Sequence, residues 1–234
     1  MGRTRYSTAF LDAGGVLVNP NWARTVEVLA RHGVVVDATA LAAAEPAVKR
    51  QLDVAPMVRA TNDEQRGFLY FDLILSRAGI VPSRETDAAL AELKRYHDVE
   101  NTWDNVPNEV VPALERLRAA GLRIIVVSNT NGTLRRLFER VGLAPLIDGL
   151  VDSSEEGIEK PDPRLFHIGL DRFAADASST IHCGDLYQID VVGARSAGLP
   201  AVLLDPAGMY EGVDCLRVRS LGEYVEQLLR GDFD

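Results

Sequence analysis

Apolar and polar positions alternate along this chain in two different rhythms. The run Thr8-Ala-Phe-Leu11 is apolar, ends at Asp12 and is followed at once by Gly14 and Gly15; it reads as a buried strand running into a tight turn. After Asn19-Pro20 the pattern becomes helical. Asn21–Gly33 carries Val26, Leu29 and Ala30 on one face, and an alanine-rich helix over residues 37–52 is expected to kink or split at Pro46. Thr61 with Glu64 three residues later predicts a capping box opening a third helix through Phe68, Phe71 and Ile74 to Gly79. A fourth helix spans Ser83 to His97. No strand pattern interrupts this stretch, so it reads as an all-helical insertion.

From Asp104 onward strands and helices alternate. Helices are predicted over 109–120, 133–141, 186–197 and from Ser220, where Glu223 completes a second capping box. Strands are predicted over 123–127, within 146–151, over 180–183 and over 201–204. Asp162-Pro163 opens a further helix, with Asp as N-cap and Pro at the first helical position. This alternation argues for an α/β fold: a parallel sheet covered by helices on both faces. The expected division is a core of residues 1–18 and 101–234, with a helical lobe over 19–100 whose ends emerge near Asp12. A lobe so placed is expected to exclude water from a site there.

Composition narrows the function classes. The chain has 234 residues, enough for a sizeable core, and 25 basic against 34 acidic residues leave a net charge of −9. That disfavours nucleic acid or an anionic membrane as the main partner. Cys183 and Cys215 suggest no disulfide framework, and His32, His97, His167 and His182 are too scattered for a Cys/His metal site. The opening Met1-Gly2-Arg3-Thr4-Arg5-Tyr6 fails the myristoylation pattern at Tyr6, and no signal peptide or long apolar run is visible. A cytoplasmic globular protein is the expectation.

The chemistry gathers at the carboxyl ends of the predicted strands, which share one edge of a parallel sheet. One strand ends in Asp12-Ala13-Gly14-Gly15, another in Ser128-Asn129-Thr130, and a third in Gly184-Asp185 with Asp190 one turn further on; a loop adds Lys160-Pro161-Asp162-Pro163. A carboxylate, a hydroxyl, an ammonium and an acidic pair in one crevice suit phosphoryl transfer. Asp12 is the candidate nucleophile. Asp12, Asp185 and the Gly14 carbonyl are candidate ligands of Mg²⁺. Ser128 and the backbone around Asn129, with Ala13, Gly14 and Thr130, are candidates for holding the phosphoryl oxygens. Lys160 would neutralise charge on nucleophile and phosphate, and Asp190 would orient Lys160 or a bound water. His182 and Cys183 read as packed strand residues, Trp22, Arg59, Arg66 and Tyr96 as ordinary helix residues, and Phe68 and Phe71 as core of the insertion.

These four stretches together resemble the motifs of the haloacid dehalogenase-like (HAD) hydrolase superfamily, and the insertion resembles the helical cap of one of its subfamilies. The resemblance implies a Rossmann-like core and Mg²⁺-dependent phosphatase activity on a small phosphorylated metabolite through an aspartyl-phosphate. One position departs. The family's first motif usually reads Asp-x-Asp-Gly-Thr, and here Gly14 stands at the second Asp, the usual general acid, and Val16 at the Thr. Three readings follow: a phosphatase working without that acid, a catalytically weak phosphate-ester-binding or regulatory protein, or a haloacid dehalogenase-like C–X hydrolase. Asp185 and Asp190 weigh against the last.

Overall fold

The computed structural model describes residues 4–234; Met1–Arg3, where the myristoylation pattern would begin, lie outside the described residues. The chain divides into two compact units, one of the residues up to Asn19 with Val106–Asp234, the other Pro20–Asn105.

The first unit is built on six parallel strands: β1 (Thr8–Leu11), β2 (Arg123–Ser128), β3 (Gly149–Asp152), β4 (Thr180–Gly184), β5 (Ala201–Leu204) and β6 (Leu216–Val218). Their spatial order is β3-β2-β1-β4-β5-β6. The chain winds outward from β1 to β3, then returns and winds the other way from β4 to β6. The direction reverses between β1 and β4, where open α/β sheets hold ligands beyond the carboxyl ends of the strands. Register makes the placement specific: Leu11 lies opposite Val126 on one side and Cys183 on the other. Asp12, Val127-Ser128 and Gly184 therefore leave the sheet side by side.

All four residues of β1 are buried, as are five of six in β2 and all five in β4. This matches the continuous apolar runs expected of a parallel sheet buried on both faces. On one face Phe10, Ile125, Val127 and Val151 pack with Leu165 and Phe166.

The second unit holds α1 (Trp22–Arg31), α2 (Ala38–Leu52), α3 (Ala55–Ala60), α4 (Asp63–Arg77) and α5 (Arg84–Glu100). Its core is Val28, Leu29, Leu41, Val48, Tyr70, Ile74, Ala89 and Leu93 with their neighbours. Tyr70 stacks on Trp22, with ring centroids 6.3 Å apart, and lies 5.7 Å from Trp103.

Back in the sheet unit, α6 (Val110–Ala119), α7 (Leu134–Arg140), α8 (Ser153–Glu156), α9 (Pro163–Arg172), α10 (Val192–Ser196) and α11 (Leu221–Arg230) complete the described helices. Asp162 caps α9 by accepting from the Arg164 N–H, with Pro163 in the first turn, as expected.

Several local expectations are corrected. Pro46 neither kinks α2 into two helices nor ends it, because the buried face of Leu41, Ala44, Val48 and Leu52 continues across it. The capping box of α4 is Asn62 with Gln65, one residue later than Thr61 with Glu64. The Thr61 hydroxyl instead donates to the Met57 carbonyl at the end of α3, an element the apolar pattern did not announce. Phe68 is 49% exposed and is not core. The predicted helix 186–197 opens as a π-helical turn, Tyr187–Val191, before α10. The short strand β6 went unread.

Candidate active site

The first motif turns sharply after β1. The Ala13 carbonyl accepts from the N–H groups of Leu17 and Val18, and the Gly15 N–H donates to the Val18 carbonyl. Gly15 takes φ 73°, in the left-handed region where a side chain is strained; Gly14 does not. The turn demands glycine at position 15 and leaves position 14 open to a side chain on backbone grounds.

Asp12 follows β1 directly and is buried, as are Ser128, Lys160, Asp185 and Asp190. The Ser128 hydroxyl donates to Asp12 Oδ1 at 2.7 Å, and Lys160 Nζ donates to the same oxygen at 2.8 Å. The lysine has a second carboxylate partner, Asp190 Oδ1, at 2.6 Å. Burial alone would push the Lys160 ammonium down, but the charges of Asp12 and Asp190 outweigh it and hold the pKa above the ordinary lysine range. For Asp190, burial pulls upward while the Lys160 charge and the His182 hydrogen bond prevail, so its carboxyl lies below the ordinary range. The lysine is ammonium and Asp190 is carboxylate at neutral pH.

Lys160 is also held by its backbone. The Asn129 carboxamide accepts from the Lys160 N–H at 2.7 Å and donates to the Lys160 carbonyl at 3.0 Å, a two-point clamp between the end of β2 and the lysine loop. Asn129, expected among the phosphoryl-binding residues, thus has its side chain on the lysine. Thr130 is tied to the β3 end: its N–H donates to the Ser153 hydroxyl.

Asp190 reaches back from the π-helical turn to lie flat against Gly184. A Cβ on Gly184 would fall 2.1 Å from Asp190 Cγ, so only glycine fits beneath that carboxylate. Asp190 Oδ2 accepts from the Leu186 N–H at 3.0 Å, and Oδ1 receives His182 Nε2 at 3.1 Å as well as Lys160. His182 is a participant that sequence reasoning missed; it lies in β4 and Asp190 in the π-helical turn, so no period of a single element links them. Cys183 behaves as expected: burial first, then the nearby carboxylates, pushes its thiol well up, which leaves it unreactive. Glu155 and Glu156 pair with Arg135 and Arg172.

Carboxylate oxygens of Asp12, Asp185 and Asp190 lie within 4.8 Å of one another. Both Asp190 oxygens already accept hydrogen bonds, so Asp12 and Asp185 are the pair suited to a cation. An all-oxygen donor set of this kind fits a hard divalent ion such as Mg²⁺.

A buried carboxylate at the switch point of a parallel sheet, with a fixed ammonium on it, stands where folds of this class hold their ligands. The haloacid dehalogenase-like hydrolase family model matches residues 6–198, and the chain belongs to that family of hydrolases. It is 32% identical over 186 residues to a bovine (Bos taurus) haloacid dehalogenase-like hydrolase domain-containing protein 3, covering 75% of this chain and 74% of that protein. It is 30% identical over 148 residues to a glyceraldehyde 3-phosphate phosphatase of Methanopyrus kandleri, covering 62% of this chain and 61% of that one. Among solved structures it resembles the HAD hydrolase YfnB of Bacillus subtilis, crystallised with magnesium, at a TM-score of 0.71 and 17% identity over 96% of this chain and 99% of that one. That likeness concerns the fold. Among the described residues no helix is long and apolar enough to cross a membrane.

Proposed function

We propose that this hydrolase is a phosphatase acting on small phosphorylated metabolites through a covalent aspartyl-phosphate on Asp12. The observation that carries the reading is the convergence of Ser128 and Lys160 on a single oxygen of Asp12. With Oδ1 so held, Oδ2 is the oxygen for attack on phosphorus. As the Oδ2–P bond forms, the bond from phosphorus to the leaving group breaks and the leaving oxygen departs with the electron pair. Water then attacks the same phosphorus, releases inorganic phosphate and restores the Asp12 carboxylate.

Lys160 is fixed before substrate arrives, so it stabilises charge without reorganising. Asp12, Asp185 and the Gly14 carbonyl would hold Mg²⁺; the Ala13 carbonyl is taken up by the turn. The ion would offset repulsion between the carboxylate and the phosphoryl oxygens. The phosphatase name of one relative supports a phosphate ester as substrate.

Gly14 shapes the substrate class. With no carboxyl at position 14 to protonate the leaving oxygen, a loss of about 10²–10⁴ in rate is expected for basic leaving groups. Acyl, enol, aryl and anomeric phosphates leave without that help and are the expected substrates. Phosphate release from esters graded by leaving-group pKa, with and without Mg²⁺, tests this. Mg²⁺-dependent release that falls steeply with leaving-group basicity and vanishes in Asp12→Asn supports it. No release from any ester would overturn it in favour of a binding or regulatory role.

A further inference from the structure

We infer that His182 is a positioning residue of this site: its Nε2–H fixes Asp190 so that Lys160 is shared between Asp190 and Asp12. His182 sits on β4, fully buried, with its ring edge-on to Phe166 at 5.0 Å between centroids. Nε2 lies 3.1 Å from Asp190 Oδ1, while Nδ1 is buried with no hydrogen-bond partner among the described residues. A carboxylate can only accept, so the nitrogen facing it carries the proton. Among the described residues Nδ1 has no such acceptor, so the geometry assigns the donor role toward Asp190 to Nε2.

Asp190 is thereby held by three donors: Leu186 N–H on Oδ2, and Lys160 Nζ and His182 Nε2 on Oδ1. Lys160 is already closer to Asp190, at 2.6 Å, than to Asp12, at 2.8 Å. Removing the His182 donor leaves more charge on Oδ1 facing the ammonium and frees the carboxylate to turn. Both changes draw Lys160 from Asp12. His182 is sealed from solvent, so the effect falls on kcat and not on substrate binding.

The activity readout rests on the phosphatase reading; a second readout does not. In the full chain, His182→Leu removes the donor and His182→Gln keeps an N–H near the Nε2 position. Kinetics on an aryl phosphate with Mg²⁺ should show kcat reduced about 10–100-fold in His182→Leu with KM little changed, and largely restored in His182→Gln. Separately, a long-range ¹⁵N–¹H spectrum of the wild-type histidines, assigned by the signal lost in His182→Gln, should show a proton on His182 Nε2. Wild-type kcat in both variants, or equal losses in both, would overturn the inference. So would a ring whose Nε2 carries no proton, even if His182→Leu failed to fold. A wild type that releases no phosphate would count against the phosphatase reading alone, and the Nε2 proton would then decide this inference.

Discussion

Lys160 is the residue on which the site balances. It is 1% exposed and its ammonium touches two carboxylates, one of them wholly buried. Replacing it by an apolar residue of similar length strands both charges. Lys160→Met should therefore cost about 3–5 kcal/mol of stability, measured by urea unfolding, besides abolishing turnover. The same ion pairs set a pH dependence. Asp190 has a lowered pKa in the folded state, so its contribution is complete above the ordinary carboxylate range, near about 3.9, and is lost as pH falls below it. Lys160 has a raised pKa, so its contribution is complete below the ordinary lysine value of about 10.4 and is lost only as pH rises through its raised value. Unfolding free energy measured against pH should thus decline below about pH 4, and Asp190→Asn should flatten that acid limb. As candidates, Asp12, Ser128, Lys160 and Asp185 could be picked out because each stands beside a strand end or a Gly/Pro punctuation mark, and Asp190 because it follows one turn after Asp185. The contacts of Asn129 and His182 were not legible. An amide after a strand serves equally as ligand or clamp, and a buried histidine shows its partner only in three dimensions.

At the scale of elements, glycine decides how closely the strand and the following turn approach. A Cβ on Gly184 would meet Asp190 Cγ at 2.1 Å, and one on Gly193 would meet the Pro161 Cα at 2.9 Å. Gly184→Ala should expel the Asp190 carboxylate from its seat, lower kcat and destabilise by about 1–3 kcal/mol. Circular dichroism would show the fold retained, whereas unchanged kinetics would contradict the seating argument. Elements with a strong period were readable: β1, β2, β4 and β5, and the Asp162-capped α9. Those that escaped had weak signals. β6 is three residues with only Val218 buried, so it has no run and no alternation. The π-helical turn has the composition of an α-helix, so nothing in its spacing announces the wider geometry. The start of α4 lies one residue later because Thr61 caps the end of α3, its hydroxyl turned back to the Met57 carbonyl four residues earlier, and so does not open the next helix.

At the scale of the molecule, strand order places the chemistry. Because β2, β1 and β4 are adjacent and parallel, residues 12, 128 and 185, far apart along the chain, leave the sheet on one edge, at the point where the winding order reverses. The alternation of elements from residue 104 onward was enough to foresee that edge, and the stretch before it forms helices as its pattern reads. What the insertion selects for was not legible, since periodicity finds a buried face but not a ligand. Its core has a convenient reporter: both tryptophans of the chain, Trp22 and Trp103, lie against Tyr70. Tyr70→Ala should destabilise that unit by about 3–5 kcal/mol, read as a shift in its tryptophan fluorescence transition.

The proposed chemistry requires Asp12 to become covalently phosphorylated during turnover. Acid quenching of the enzyme while it consumes an aryl phosphate in Mg²⁺, followed by mass spectrometry of its peptides, tests this directly. The predicted result is one phosphoryl group on the peptide containing Asp12, removed by hydroxylamine and absent in Asp12→Asn. Turnover that persists in Asp12→Asn, or a phosphorylated peptide that lacks residue 12, would contradict it.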